Sequence, residues 1–322
     1  MSFYSRRTAI ATLLATAALP VLAQQEESGV IEWVVGFPAG GGADAPVRLL
    51  SEHVSKLLGR SMVVINKPGA STQVAADYVL NAKAGNILFT ADFSTLATNA
   101  FLYPKLRYVP ERDFVVLGIQ ARTPMVLVGS LDVPATNFAE LLAWVKKSPQ
   151  EVPYGSAGAA TPHHLAAELL KAQTGLRLAH IPYKGATPAL QDAMARQIPL
   201  VMADLATAQQ HIQAGKVKAF GISSSTRSHN LPEVPTFIEL GLKDYEVYAW
   251  QAVVMPSKTP AAQVARFGEA LKTALESPAV KARYDALGLE RMTGSPAEVS
   301  AFIAREQQRW GQVIKAHNIK LE

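Results

Sequence analysis

The chain has 322 residues, of which 49% are hydrophobic and 18% charged, and this balance excludes disorder along most of its length. It contains no cysteine, which excludes disulfide bonds, thiolate metal sites and cysteine nucleophiles. The net charge of +5 is not gathered into a basic cluster interleaved with aromatic residues, so the sequence predicts no nucleic-acid partner.

The N-terminal segment has the three parts of a secretory signal peptide. Arg6 and Arg7 form a basic start, residues 8–19 are mostly apolar, and small residues precede a cleavage point after Ala23. The apolar run is too short to span a bilayer, which needs about 20 apolar residues. We therefore predict that residues 1–23 are removed on export, by either the general secretory or the twin-arginine route.

Short apolar runs then alternate with amphipathic segments. The pattern predicts strands at 31–35, 62–65 and 86–90, separated by helices at 45–58 and 73–81. Strands and helices that alternate in this way are typical of a parallel, doubly wound sheet.

A second α/β series follows and ends in a run of helices. The predicted strands are 114–119, 125–128, 153–155, 178–181, 200–203, 219–222 and 249–255. The predicted helices are 138–147, 162–174, 188–196, 206–215, 261–277, 278–287 and 296–317. No linker rich in glycine and serine separates the two series, which is typical of a chain that crosses twice between two lobes.

The two crossings divide the chain into two predicted lobes. We place them near Arg122 and near residues 245–250. The first lobe then comprises residues 30–122 and 248–322, and the second lobe comprises residues 123–247. The predicted fold class is α/β, with each lobe a doubly wound sheet flanked by helices.

The loop after the first strand carries three consecutive glycines, at positions 40–42. Glycine lets the backbone approach a ligand closely, and the helix that follows presents partial positive charge, so the loop suits an anion. For Asp44 a helix-capping role is favoured over ligand binding. The loop also spells the dinucleotide pattern Gly-x-Gly-x-x-Ala, but Asn66 stands where an acid would bind ribose, so no cofactor is predicted. The candidate ligand-binding residues here are Phe37, Ala39, Gly40, Gly41 and Asp44.

A second loop rich in small residues leads from strand 153–155 into helix 162–174. Thr161 suits the N-cap of that helix and Pro162 its first position. Two such loops, one from each lobe, can face each other across a cleft and hold a carboxylate with N–H groups and hydroxyls. The candidate ligand-binding residues here are Ser156, Ala157, Gly158, Ala159, Ala160, Thr161 and His164.

Residues that follow other strands complete the predicted site. In open α/β sheets, ligands bind at the carboxyl ends of the strands. Asp92, Phe93, Ser94 and Asp204 are candidates on this ground. Tyr183 and Lys184 lie in a strand-to-helix turn, where a structural role is at least as well supported as a binding role.

The enzymatic alternative is a hydrolase that uses Ser156 with a nearby histidine such as His163. The Gly-x-Ser-x-Gly nucleophile elbow is missing, because Ser156 follows Gly155 directly. No spacing indicates an orienting acid, and His164 with Glu168 lacks a third metal ligand. A binding protein without catalytic residues or a metal site is therefore favoured.

Several of these segments, taken in order, resemble the tripartite tricarboxylate transporter substrate-binding family, the TctC or Bug receptors. The resemblance covers essentially the whole chain after the signal peptide. In the segment 37–44, Ala39 stands where the family has a second consecutive proline. The segments that carry the resemblance are 37–44, 66–70, 102–108, 154–158, 164–169, 182–185, 231–236 and 249–250.

The resemblance implies a type II periplasmic binding fold with two lobes and a hinge. It implies a periplasmic receptor whose loops at 40–42 and 156–161 clamp a small carboxylate, partly through water. The solute classes that fit are dicarboxylates, amino acids and aromatic acids. A membrane transporter of the tripartite tricarboxylate type or a sensor is the implied partner, and a monomer is expected.

Three segments depart from the family pattern. Residues 71–75 replace Gly-Gly-Asn-Ile-Gly, and residues 195–197 replace Gly-Gly-Gln. Residues 92–94 differ from the Thr-Ser-Gly-Thr style of the loop that faces the far end of the ligand. The identity of the carboxylate therefore stays open at this point.

Overall fold

The computed structural model describes residues 29–82, 85–292 and 294–321. The signal peptide predicted at 1–23 lies outside these residues. Within them, no helix is both long and apolar enough to cross a membrane.

Strands and helices alternate through most of the described chain, with helices closing it. The strands are β1 Ile31–Val35, β2 Met62–Asn66, β3 Ile87–Asp92, β4 Phe114–Gly129, β5 Val152–Ser156, β6 Leu178–Pro182, β7 Leu200–Asp204, β8 Lys218–Ile222 and β9 Tyr248–Pro256. The helices are α1 Asp44–Leu58, α2 Gln73–Asn81, α3 Asn99–Leu102, α4 Pro110–Asp113, α5 Phe138–Lys147, α6 Pro162–Thr174, α7 Ala186–Met194, α8 Leu205–Gln213, α9 Ala261–Glu276, α10 Pro278–Ala286 and α11 Pro296–Ala316, and a short π-helix spans Ser94–Thr98.

The strands form two sheets that share β4. The first sheet has the order β2-β1-β3-β9-β4, with β1 parallel to β2 and β3 and with β9 antiparallel to its neighbours. The second continues β4-β7-β5-β6, and β8 also pairs with β4. The predicted α/β class with two lobes is confirmed.

A single long strand carries the chain from one lobe to the other. The first part of β4 pairs with β9 as far as Pro124, and its last five residues, Met125–Gly129, pair with β7. The sequence predicted two separate β segments here. Gln120 and Thr123 break the apolar pattern, but both are buried and lie inside the continuous strand.

Helices cover both faces of the sheets. In α1 the buried residues Val47, Leu50, Val54 and Leu58 recur every three or four positions, which is why this segment is helical and why one face packs inward. The helix ends at Gly59, whose φ of 65° closes a left-handed cap. The loops at the carboxyl ends of the parallel strands stay free of this packing and meet between the lobes.

Candidate functional site

A cavity of about 210 Å³ lies between the lobes. Its walls are the loops after β1, β3, β5, β6 and β7, together with the middle of β4 and the start of β9. Pockets that enclose drug-sized ligands are roughly 300–1,000 Å³, so this one suits a smaller solute. Seven predicted residues line it: Phe37, Ala39, Gly41, Asp92, Phe93, Ala157 and Asp204.

Four helices begin at the wall of this cavity. The residues that mark these helix starts are Ala43 for α1, Pro162 for α6, Ala186 for α7 and Asp204 for α8, and all four line the cavity. The first N–H groups of a helix have no partner inside the helix and carry partial positive charge. Their convergence favours an anion in the cavity.

The β1–α1 loop (residues 36–43) is braced from below by Asp44. The buried Asp44 carboxylate accepts hydrogen bonds from the Gly40 N–H at 2.9 Å, from Arg48 Nε at 2.7 Å and from Asn66 Nδ2 at 2.8 Å. Burial raises the pKa of Asp44, but the hydrogen bonds from Arg48, Gly40 and Asn66 outweigh it, and the net pKa is lowered. Ala43 is the N-cap of α1, so Asp44 supports the loop from the first helical turn instead of capping the helix.

The β5–α6 loop (residues 157–161) is held by neutral groups. Ser156 Oγ lies 2.6 Å from His180 Nε2, and the Gly158 N–H donates to the same oxygen at 3.1 Å. The ring of His180 stacks on that of His164 with centroids 4.2 Å apart. Burial lowers the pKa of His164 to about 4 and that of His180 to about 3, so both rings are neutral at pH 7. The predicted N-cap is observed, with Thr161 Oγ1 accepting from the amide of His164.

The two lobes touch on both sides of the cavity. Ser71 Oγ donates to the carbonyl of Ala159 at 2.5 Å, and Thr98 Oγ1 donates to that of Ala160 at 3.1 Å. On the other side, a Cβ added to Gly42 would lie 2.8 Å from both Asp204 Oδ1 and Thr207 Oγ1 of the facing lobe. The structure is therefore a closed arrangement of the lobes.

A second cavity, of about 240 Å³, adjoins the first and shares five lining residues with it. Four further predicted residues line this second cavity: Gly158, Ala159, Thr161 and Tyr183. The Tyr183 hydroxyl donates to Asp192 at 2.7 Å, and burial with this bond raises its pKa to about 12. The predicted residues that line neither cavity are Gly40, Asp44, Ser94, Ser156, Ala160 and His164.

Sequence reasoning missed several polar residues of the interlobe cavity. His163 Nε2 lies 3.2 Å from Asp204 Oδ2, and Thr207 donates to Asp204 Oδ1 through its amide and its hydroxyl. Burial raises the pKa of Asp204, but the contacts with His163 and Thr207 outweigh it and lower the pKa overall. Gln251 was missed as well and lines the cavity, as does the exposed Lys184 of the predicted strand-to-helix turn. The sequence could have indicated His163 as a cavity residue, because it lies in the first turn of α6 beside the candidate His164.

A hydrolase would need a serine, a histidine and an acid that orients the histidine, and the described residues supply the serine–histidine contact without the acid. The partner of Ser156 is His180, whereas His163 pairs with Asp204. No carboxylate of the described residues accepts a hydrogen bond from His180, and Ser156 is fully buried. Among residues 29–82, 85–292 and 294–321, no group of three histidines and acids is placed to hold a metal ion.

Comparison with known proteins gives a consistent set of relatives. Residues 47–319 match the family described as tripartite tricarboxylate transporter family receptor. The protein BugT of Bordetella pertussis is 31% identical over 317 residues, which is 97% of each chain. Rhodopseudomonas palustris Rpa4515, solved with adipate, superposes with a TM-score of 0.87 at 29% identity and covers 92% of this chain and 99% of that one. MatC from the same organism, solved with bound malate, gives 0.84 at 28% identity and covers 88% of this chain and 98% of its own.

Proposed function

The chain belongs to the tripartite tricarboxylate transporter family of receptors, and we propose that its interlobe cavity captures a small carboxylate-bearing solute. The membership confirms the predicted family and the predicted function as a solute receptor. The observation that carries this proposal is the convergence of four helix starts on one closed cavity. Such helix ends bind anions through unpaired N–H groups and partial positive charge. The adipate and malate held by the two similar structures are carboxylates of suitable size.

The charged side chains at the cavity are consistent with recognition by the backbone. Lys184 is exposed at the rim, and the buried His163 contacts Asp204 through Nε2, while its Nδ1 has no partner among the described residues. A solute carboxylate would therefore accept mainly from main-chain N–H groups of the β1–α1 loop and of the first turns of α6 and α7, because the first amides of α8 already donate to Asp204 and Thr123. Closing the lobes excludes water and strengthens each of these hydrogen bonds.

The proposed cycle is opening and closing of two lobes about the shared strands. We assign residues 30–122 and 248–322 to one lobe and residues 123–247 to the other. The paired stretch of β4 and β9, where Pro124 faces Tyr248, is the proposed hinge region. The solute stabilises the closed population in proportion to its preference for that state.

The setting that we propose follows from the predicted signal peptide. The mature chain begins after Ala23 in the periplasm, acts as a monomer and delivers its solute to a membrane transporter of the tripartite tricarboxylate type. It binds its solute without chemical turnover. His180, beside Ser156, supports this assignment, because a histidine with a pKa of about 3 is a poor general base near neutral pH.

A ligand screen tests the proposal. The mature chain is mixed with a library of small carboxylates and their methyl esters, and both the melting temperature and any hydrolysis are followed. We expect at least one free carboxylate to raise the melting temperature as its concentration rises, while no ester is hydrolysed. Hydrolysis of an ester, or the absence of a shift with every carboxylate, would contradict the proposed function.

A further inference from the structure

One wall of the interlobe cavity carries unsatisfied polar atoms that point to the class of solute. These atoms belong to Asp92, at the end of β3, and to Gln251, on the neighbouring strand β9. We propose that Asp92 makes the receptor select solutes that carry an ammonium group besides the carboxylate, that is amino acids, over dicarboxylates. The proposal rests on the proposed function and narrows its substrate class.

Only one oxygen of the Asp92 carboxylate is used by the protein. Oδ1 accepts from the amide and the hydroxyl of Thr95, at 3.0 and 2.7 Å, and lies 3.2 Å from Thr72 Oγ1. No residue in the described part of the chain donates a hydrogen bond to Oδ2. Asp92 is 4% exposed and lines the cavity, so this free acceptor belongs to a side chain that bulk water barely reaches. A donor on the solute is the partner that is missing.

Gln251 carries a side-chain amide donor that is free, beside the free acceptor of Asp92. It lies directly opposite Asp92 in the antiparallel ladder, where facing residues project from the same side of the sheet. Its Oε1 accepts from Gln120 Nε2 at 2.7 Å, and its own Nε2 has no partner among the described residues. Gln251 is 9% exposed and lines the cavity. The free amide hydrogens can meet an acceptor of the solute beside the group that reaches Asp92.

The charges in the cavity decide which donor fits Asp92. The second acid there, Asp204, already has His163 and Thr207 as partners. No described lysine, arginine or histidine forms an ion pair with Asp92, the rim residue Lys184 included, so its carboxylate lacks a counterion in the closed cleft. A buried charge of this kind is costly unless an opposite charge accompanies it. A solute ammonium supplies that charge, whereas a second solute carboxylate would be repelled.

Matched solutes test the proposal on the unmodified protein. The series glycine, β-alanine, 4-aminobutyrate and 5-aminopentanoate is titrated calorimetrically against malonate, succinate, glutarate and adipate, and alanine, valine and leucine are added to sample α-amino acids with side chains. Each pair in the first two sets differs only by an ammonium in place of one carboxylate. We expect the tightest amino acid to bind at least tenfold more tightly than any of the dicarboxylates.

Substitution of Asp92 supplies the second arm. In Asp92→Asn the affinity for the amino acid should fall at least tenfold and that for the matched dicarboxylate should rise. Asp132→Asn removes the same charge from an exposed pair with Arg196 and should change neither affinity. Thermal unfolding checks that the variant is folded, and Asp92→Ser repeats the test if it is not.

The outcomes separate the two proposals. The selection by Asp92 is overturned if the wild-type protein binds dicarboxylates at least as tightly as amino acids. It is also overturned if Asp92→Asn changes the affinity for both classes equally. In either case the proposed capture of carboxylates in the cleft stands. Failure of every carboxylate to bind the wild-type protein overturns the proposed function, and the selection falls with it.

Discussion

The β1–α1 loop and the β5–α6 loop both lead from a strand through small residues into a helix, yet different chemistry holds them. The first is anchored by charge, through Asp44, Arg48 and Asn66. The second is anchored by Ser156 and a stack of neutral histidines. The two loops also contribute differently to the wall of the interlobe cavity. Residues 37–39 and 41–43 of the β1–α1 loop line the cavity, whereas Ala157 is the only residue of the β5–α6 loop that does.

This difference indicates two separate tasks. The β1–α1 loop forms a wall of the solute cavity, and its brace keeps that wall fixed. The β5–α6 loop turns the carbonyls of Ala159 and Ala160 toward Ser71 and Thr98 of the other lobe, so that it fastens the closed state. Similar sequence patterns therefore serve solute contact on one side and lobe closure on the other.

Removing the charged brace should have the largest effect. In Asp44→Ala, the Gly40 amide, Arg48 and Asn66 all lose their acceptor, and we expect a loss of about 3 kcal/mol in the free energy of unfolding. This expected loss is at the low end for a broken buried ion pair, because the Arg48 side chain is 50% exposed and water can solvate its guanidinium group. Urea denaturation measures the change.

The control for this brace is an exposed ion pair. Asp77 contacts Arg107 at 3.1 Å on the surface, and Asp77→Ala should cost no more than about 0.5 kcal/mol. Equal losses in the two variants would show that the Asp44 network does not brace the loop.

The next largest effect is expected at the point where the β1–α1 loop meets the facing lobe. In Gly42→Ala the new Cβ would lie 2.8 Å from Asp204 Oδ1 and Thr207 Oγ1, which are hydrogen-bonded to each other, so full closure would be opposed. If about 1% of the molecules still reach the closed state, the affinity for the solute falls about 100-fold, as calorimetry would show. The apo protein should unfold almost as before, because an open cleft relieves the contact.

Gly268→Ala is the matched control for Gly42. Gly268 lies in α9, and an added Cβ has no neighbour within 4 Å there. Its affinity should match that of the wild-type protein. Unchanged affinity in Gly42→Ala would mean that binding does not need the closed arrangement.

The β5–α6 loop should be distinguished by its response to acid. The pKa values of His164 and His180, about 4 and 3 in the folded protein, lie below the value near 6.5 that the unfolded chain restores. The unfolded chain therefore binds more protons between these limits, and stability is full above pH 6.5 and falls as the pH drops toward 4. We expect a loss of at least about 2 kcal/mol across this window.

Urea denaturation at pH 7.5, 5.5 and 4.5 measures this slope. His180→Asn should reduce it, whereas His229→Gln, at an exposed position, should leave it unchanged. A slope that is the same in all three proteins would remove the buried histidines as its cause.

The smallest effect is expected at a single closure contact. Ser71→Ala removes the hydrogen bond across the cleft to the Ala159 carbonyl, worth about 1 kcal/mol, and should weaken solute binding about fivefold. It also removes the contact with the Tyr103 hydroxyl, which lies in the same lobe and is present whether the cleft is open or closed. Position 71 has a φ of 49°, and the neighbouring Ala70 has a φ of 45°, so alanine is already accommodated in this backbone region. Ser257→Ala, at an exposed position, is the control for calorimetry. A greater effect on unfolding of the apo protein than on affinity would contradict a role in closure.

The fold was largely predictable because its signals are local. Apolar periodicity located α1, and the sequence Thr161-Pro162 marked the start of α6, where the structure shows the cap. The unbroken course of β4 was not predictable, because Gln120 and Thr123 look like loop residues until their pairing with β9 is known.

The candidate site was predictable in its loops but not in its individual side chains. Asp44, Asp92 and Asp204 are alike in sequence, since each lies near a junction between strand and loop or helix. Only their contacts show that Asp44 is saturated, that Asp204 has His163 as a partner and that Asp92 keeps a free oxygen. Gln251 was missed because its place beside Asp92 depends on a pairing between strands more than 150 residues apart.

A crystal structure of the mature chain with the tightest carboxylate from the screen would show whether the solute is captured between the lobes. We expect the solute carboxylate in the interlobe cavity, within about 3 Å of main-chain N–H groups of the β1–α1 loop and of the first turns of α6 or α7. A carboxylate held outside the cleft, for example in the groove of about 610 Å³ beside α9, would contradict it.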